Sequence, residues 1–371
     1  MDLTMEGDER EKRAPSLPLA FSWDLDEQGC VRAPSGVTPL PPSPALGIDA
    51  AGHVGAADGD LDWYPVVEVA FGPDAAHVVL GREVVPRRCR FCERVAGDAT
   101  FRQEAHAIPA AIGNRTVFSL EECDDCNGKF GRELEDDFVN FLGPLRTFSG
   151  ISARRRKVPT FRRSPRSTPI RHGGHGKILV NEEGEGDAVV IHHGADGKSL
   201  RLEVEYPPFD LAKVGRALAR MALFHLRAGP TSSFHHVLRW VRGDLEWRPQ
   251  VYEAFVPGGV AAGGVFIILA PPLEHRSHTF IACIALSCAA YFLPLPEQDW
   301  TVRDPPWETL LRPFIRAWGT PPKLTRFQAS TSGRVTGHRR VFKMRQQGTG
   351  DVDERSASSE DDVDDGRPDE L

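Results

Sequence analysis

The sequence predicts a mixed α+β protein: a small zinc-stapled ββα unit, then a second α+β domain of ordinary size, with disordered ends. Three observations carry that prediction. Two Cys-x-x-Cys pairs, Cys89/Cys92 and Cys123/Cys126, bracket a stretch that reads as two short strands. An amphipathic run follows the second pair at once. Beyond about residue 177, alternating and continuous apolar runs share the chain with one long helical stripe.

A chain of 371 residues with 40% hydrophobic residues can bury one small and one ordinary core. The boundaries read as 1–60, a flexible Pro/Gly/Ala-rich lead-in; 61–150, the stapled unit, with its core at 85–142; 151–176, a basic linker; 177–335, the second domain; and 336–371, a disordered acidic tail. Met1-Asp-Leu-Thr-Met-Glu-Gly-Asp carries acids and no apolar run, so no secretion signal is expected. The seven cysteines are an odd number, and Cys283 and Cys288 lie in an apolar stretch typical of buried thiols. A reduced, cytoplasmic setting fits, and there paired Cys-x-x-Cys means metal or redox chemistry in preference to two disulfides.

In chain order, a short ordered piece is expected near Phe21-Ser-Trp23, and Asp62–Ala70 reads as the first full strand. Between the cysteine pairs, Thr100–His106 reads as a strand, Pro109–Asn114 breaks it, and Thr116–Leu120 returns. From Asn127 to Leu142, Phe130, Leu134, Phe138 and Leu142 recur at helical spacing, and Val139 widens the stripe. Ala188–His192 and Leu200–Tyr206 read as a hairpin across Gly194–Gly197. Asp210 is placed to cap a helix with the stripe Leu211, Val214, Leu218, Met221 and His225, the last a core-edge histidine. Ser232–Val241 reads as a shorter helix. Val265–Ala270 and Thr279–Leu293 are too short to cross a bilayer, which takes about 20 residues, so each reads as a buried strand, with Leu273–Ser277 as the turn between them. No membrane partner is expected.

Charge is segregated beneath a net −7. From Phe148 to Lys177 the chain has nine basic residues, Arg154–Lys157 among them, and no acid. With Pro159, Pro165, Pro169 and Gly173-Gly174 interspersed, it reads as an extended arm. Such an arm at 154–177 attracts phosphates with little sequence discrimination; its bland alternative is a solvated linker. Asp351–Leu371 holds ten acids and no aromatic residue, and reads as disordered and solvating.

Four thiolates at this spacing close a tetrahedral Zn²⁺ shell with no open position, so Cys89, Cys92, Cys123 and Cys126 read as a structural site. Other residues have to carry any chemistry. A neutral imidazole takes a proton from water near pH 7, which makes His106 a candidate base; a packed histidine is the alternative. Glu104 and His106 share one face of an ideal strand. Asn127 directly follows the last cysteine and is placed either to ligate a hard divalent cation or to cap the helix. Gly113-Asn114 is a turn signal.

Taken together, Cys89-x-x-Cys92, Glu104-Ala-His106-x-Ile-Pro109, Ile112-Gly113-Asn114, Cys123-x-x-Cys126-Asn127, Phe130-Gly131 and Leu134-Glu135 resemble the HNH endonuclease superfamily. The nearer likeness is to its treble-clef, ββα-metal subgroup with a four-cysteine zinc. The resemblance covers about residues 85–142. It implies metal-dependent hydrolysis of DNA phosphodiester bonds, with His106 as general base, Asn114 orienting its ring, and Mg²⁺ or Mn²⁺ at Asn127 and Glu104. Many members carry a metal-binding Asp or His where this chain has Ala105. Glu104 through a bulge, Glu135, or additional water are the open substitutes; Glu135 is equally placed to pair with a surface arginine. The helix Ala217-Leu-Ala-Arg220-Met-Ala-Leu223 is similar, more loosely, to the C-terminal half of such proteins. A zinc-stapled nucleic-acid-binding protein without catalysis is the competing reading, and an interaction domain held by zinc is a third. Double-strand cleavage would imply a homodimer or sequential nicks.

Overall fold

The computed structural model describes residues 2–4, 21–22, 24–25, 31–32, 64–71, 75, 77–81, 85–152, 157–173, 177–180, 188–195, 199–226, 234–255, 263–270, 279–286, 289–296, 324–329 and 333–346. The fold is α+β. A seven-stranded antiparallel sheet runs in the order Leu324–Gln328, Gln250–Phe255, Ala289–Pro296, Thr279–Leu286, Gly263–Ala270, Tyr64–Phe71 and Phe21–Ser22. A six-stranded antiparallel sheet runs Val189–His193, Ser199–Glu205, Arg339–Gln346, Asp2–Thr4, Lys177–Val180 and Ile170–His172. A third sheet of three short strands, Val78–Leu80, Val117–Ser119 and Ala105–His106, carries the residues of interest. Its first two strands are parallel and its last two antiparallel.

Helix α1 (Asp124–Phe130) and helix α2 (Asp136–Leu142) are joined by one π turn, Gly131–Glu135. The expected stripe Phe130, Leu134, Phe138 and Leu142 is buried. A short helix α3 (Leu145–Phe148) follows. Between α2 and α3, Gly143 sits at φ +53°, and a Cβ there would overlap the Tyr206 ring. Helix α4 (Leu211–His225) begins as expected at Asp210, whose carboxylate accepts from the Ala212 and Lys213 amides. It packs on the strands Gly263–Ala270, Thr279–Leu286 and Ala289–Pro296 on one side and on α2 on the other. The Asp137 carboxylate fastens α2 to the start of α4, accepting the Asp210 amide at 2.9 Å and pairing with Lys213 at 3.1 Å. Helix α5 (His235–Arg242) closes the layer. One continuous apolar core therefore runs from the cysteine region into the sheets.

Several expectations are corrected. The strand proposed for Thr100–His106 is only Ala105–His106, because the Arg102 and Gln103 amides donate to the Asp124 carboxylate and leave no ladder to join. Thr279–Leu293 is not one strand but two, paired as a hairpin. The described part of the basic segment is not a bare arm. Phe161 bridges Ile170, Ser167 through Ile170 are buried, and Ile170–His172 joins a sheet. The acidic tail cannot begin at 336, since Arg339–Gln346 lies inside the six-stranded sheet. Nor is 1–60 wholly a lead-in, because Asp2–Thr4 pairs there as well. Arg154–Arg156, the Leu273–Ser277 turn and Asp351–Leu371 fall outside the described residues. Among the described residues, no helix is long and apolar enough to cross a membrane.

His225 lies deeper than the core edge. It is 2% exposed, and among the described residues neither ring nitrogen finds a hydrogen-bond partner. Burial, with Arg90 adding to it, holds its pKa down at about 3. An unfolded histidine titrates near 6.5, so the unfolded chain binds the extra proton first as pH falls. The contribution is whole above about pH 6.5 and is lost toward pH 3, at up to about 1.4 kcal/mol per pH unit. His225→Leu should flatten the pH dependence of the urea midpoint between pH 6.5 and 5; an unchanged slope would contradict this assignment.

Candidate metal centre and active site

The first cysteine pair sits on a tight knuckle. The Cys89 amide donates to the Arg94 carbonyl at 2.8 Å, and the Glu93 amide to the Cys89 carbonyl at 2.9 Å. Glu93 closes the knuckle at φ +63°, a left-handed conformation unusual for a residue with a Cβ. The second pair straddles the start of α1, with Cys123 as its N-cap residue. The two knuckles bring the four sulfurs within 4.8 Å of one another, and Cys92 Sγ lies 3.7 Å from Cys123 Sγ. A disulfide would require about 2.0 Å. Four sulfurs around zinc at about 2.3 Å would stand about 3.8 Å apart, so the arrangement suits a tetrahedral ion and not two disulfides.

The thiol chemistry agrees with that donor set. A hydrogen bond with Cys126 draws the Cys89 thiol down to about 5. That same bond drives Cys126 up, and burial pushes Cys123 up to about 11. One thiol ionises at its neighbours' expense, and a dication lets all four ionise together. Around them, the Arg94 Nε donates to Cys92 Sγ at 3.4 Å and the Cys123 amide to Cys89 Sγ at 3.5 Å. Arg94 also reaches Asp125 at 2.7 Å. These contacts orient and stabilise thiolate ligands. The four cysteines can hold a metal ion such as zinc.

The hairpin lies against this centre. Ala105 pairs with Ser119, and His106 with Phe118. Ala105 is buried, while Glu104 is exposed and His106 half-buried, so both flanking residues lie on the outward side. The His106 ring packs at 4.7 Å from the Phe118 ring. Asn114 is fully buried and braces the loop from within: its Nδ2 donates to the Ile108 and Val117 carbonyls at 2.6 and 2.9 Å, and its Oδ1 accepts the Thr116 and Val117 amides. Both roles considered for it meet here, since that Nδ2 also lies 3.4 Å from His106 Nδ1. With both amide protons committed to carbonyls, the bracing is the stronger of the two.

Asn127 is not the cap. The helix starts at Asp124, so Asn127 lies one turn inside, its own amide donating to the Cys123 carbonyl. Its Nδ2 reaches Gln103 Oε1 at 3.4 Å, in the loop that leads to Glu104 and His106. Asp124 holds that loop, its carboxylate kept below the usual range by hydrogen bonds from Thr100, Gln103 and Arg102. Glu135 does pair with an arginine, but a buried one: Arg220, at 3.5 Å. Burial raises the Glu135 pKa against the pull of that guanidinium. Among the described residues, the four cysteines are the only group of three or more His, Cys, Asp and Glu donors close enough to share an ion.

Sequence reasoning missed the Arg220 network. From α4, Arg220 donates to Glu122 twice, Nε to Oε1 at 3.1 Å and Nη2 to Oε2 at 2.7 Å, and to the His106 carbonyl at 3.2 Å. Glu122 is fully buried and sits next to Cys123. Burial weighs against the Arg220 charge, but Glu122 outweighs it and the arginine is held protonated. A second arginine repeats the theme at the first knuckle: Arg90 bonds Glu121 and the Leu223 and Leu226 carbonyls at the end of α4. The signal in the sequence was an arginine on an otherwise apolar helix face.

Compared with known families, residues 89–142 match the model of the HNH endonuclease family. Comparison with curated proteins and with solved structures returned no match in either case.

Two outcomes follow from this geometry. Elemental analysis should find about one zinc per chain, and replacing Cys89 and Cys92 with serine should abolish it together with the near-ultraviolet signature of folded packing; a folded, zinc-free double variant would contradict the staple. Arg220→Ala leaves Glu122 buried and unpaired, and should cost about 3–5 kcal/mol in urea unfolding. A loss below about 1 kcal/mol would place the network at the surface.

Proposed function

We propose, proceeding from the HNH endonuclease domain at residues 89–142, that this chain is a metal-dependent endonuclease that hydrolyses DNA. The single observation that supports it best is the placement of His106: outward-facing, half-buried, on a hairpin braced by Asn114 from one side and held by Arg220 at its own carbonyl. In this reading His106 is the general base. It takes a proton from water, the water oxygen forms a bond to phosphorus, and the 3′ oxygen leaves. Asn114 keeps the loop, and with it the ring, in one orientation.

Asn127 and Glu104 are the hard oxygen donors this reading assigns to a catalytic cation. Asn127 faces the Gln103 loop, and Glu104 is exposed one residue further on. With few protein donors, the site suits Mg²⁺ or Mn²⁺, which retain several waters. When bound, such a cation would neutralise charge on the phosphate and the departing oxygen. Asn127 and Glu104 would hold it, with the position of Asn127 on α1 keeping its amide aimed at the loop. The four-cysteine metal has no part in the reaction, because its shell is closed.

DNA is the substrate in this reading, and the basic segment 154–177 its phosphate contact. Arg163 is already paired with Glu205 at 3.2 Å, and Arg162 bonds the Pro165 and Ser167 carbonyls. Lys157, Arg166 and Arg171 remain exposed. The segment leaves the site directly, since Ile151 packs against Gly113, beside Asn114. In this reading the residues around 85–142 carry the chemistry. One active site makes one cut, so a double-strand break needs two copies or two events. The thiolate staple suits a reducing, cytoplasmic compartment.

A non-catalytic nucleic-acid-binding module is the second reading. Ala105, buried where many superfamily members carry a ligand, is the observation that favours it. Plasmid nicking decides between the two. With Mg²⁺ or Mn²⁺ the wild-type chain should nick, and His106→Ala should lower the rate about 10²–10⁴-fold with zinc content unchanged. Equal nicking by the variant would remove His106 from the chemistry, and no nicking by either would favour the second reading.

A further inference from the structure

The strand Val78–Leu80 lies outside the segment that matches the HNH family, yet it pairs in parallel with Val117–Ser119 and extends the hairpin by one strand. It adds a residue to the outward face of that sheet. His77, just before the strand, sets its ring 5.2 Å from Phe118, on which His106 packs at 4.7 Å from across the next strand pair. Both imidazoles tilt 38° to the phenyl ring. Val79 pairs with Phe118 and is 46% exposed, one of three large hydrophobic side chains so exposed among the described residues. His77 is exposed, and Phe118 and His106 are half-buried. The opposite face of the same sheet, with Val117, Ser119 and Ala105, is buried.

The outward face is thus a strip of three ring systems whose third member is the candidate base. Phe118 therefore lies directly beside His106 on that face, with its ring 4.7 Å away. Aromatic rings on a pleated sheet stack nucleobases without regard to sequence, provided the base is out of its duplex stack. A paired base keeps both its faces against its neighbours and offers none to a ring. We infer that His77 and Phe118 bind an unpaired nucleobase next to the scissile phosphate, so that the chain favours single-stranded or locally opened DNA. The inference rests on the nuclease reading for its meaning, because His106 defines which phosphate the stacked nucleotide flanks.

The test separates the two. Binding is measured with the full, zinc-loaded chain in Ca²⁺, using a single-stranded oligonucleotide carrying 2-aminopurine, against a blunt duplex of the same sequence. Wild type should bind the single strand more tightly and alter the 2-aminopurine fluorescence. His77→Ala and Phe118→Leu should each weaken single-strand binding about 10-fold or more, leave duplex binding nearly unchanged, and lose the fluorescence change. His77→Tyr, which keeps a ring, should restore it. Equal affinities across all variants would overturn the inference, as would a loss of the same size for duplex and single strand, which is the mark of mere misfolding. The nicking comparison of wild type with His106→Ala is run alongside. Failure there removes the nuclease reading and leaves the binding result to decide the strip by itself.

Discussion

A buried guanidinium holds this site together. Arg220 is buried, and its charge is met by Glu122, Glu135 and the His106 carbonyl. Those three groups belong to three different parts of the unit: the residue before the second knuckle, the π turn between α1 and α2, and the strand with the candidate base. One side chain from α4 therefore fixes their mutual positions. Removing any partner would leave a charge stranded in a low-dielectric interior, so the parts cannot move independently at small cost. The rings of Phe130 and Phe224 lie against the same guanidinium and exclude water from it.

This constraint changes the picture of a small nuclease unit joined to a separate body. A metal ion at the four cysteines would organise the knuckles locally, but a four-thiolate centre controls only what is bonded to it or hydrogen-bonded to its sulfurs. The hairpin's placement against α1 comes from Asp124 gripping the 102–103 backbone, from Asn114 inside the loop, and from Arg220 behind it. Arg90 does for the first knuckle what Arg220 does for the second, tying it to the carbonyl end of α4, where a positive charge is electrostatically favoured. The knuckles, the carboxylates and the arginines together position the outward face.

The outward face carries the residues of the proposed site. Its residues are few: Glu104, His106, Phe118, Val79 and His77 on the sheet, and Asn127 on the helix. The buried face beneath is ordinary packing. A site built this way tolerates variation in the loops around it while the imidazole stays in place.

Much of this was legible in the residues. The cysteine spacing determined the staple, because two intervening residues leave both sulfurs facing one ion. The 3.6-residue stripe of Phe130, Leu134, Phe138 and Leu142 determined a buried helix face, and Asp210 announced the start of α4. The two-residue spacing put Glu104 and His106 on one face with Ala105 on the other, and burial of Ala105 made that face the outward one. Tertiary structure decided the rest. Thr100–Gln103 has strand-like composition, but its amides were claimed by a carboxylate 21 to 22 residues away. The basic segment reads as an extended arm, but Phe161 and Ile170 found a core to enter. Nothing local pairs Arg220 with Glu122, and only long-range packing, across 98 residues of chain, made them a buried pair. Local spacing encodes local geometry, whereas the partner of a buried charge is known only once distant segments meet.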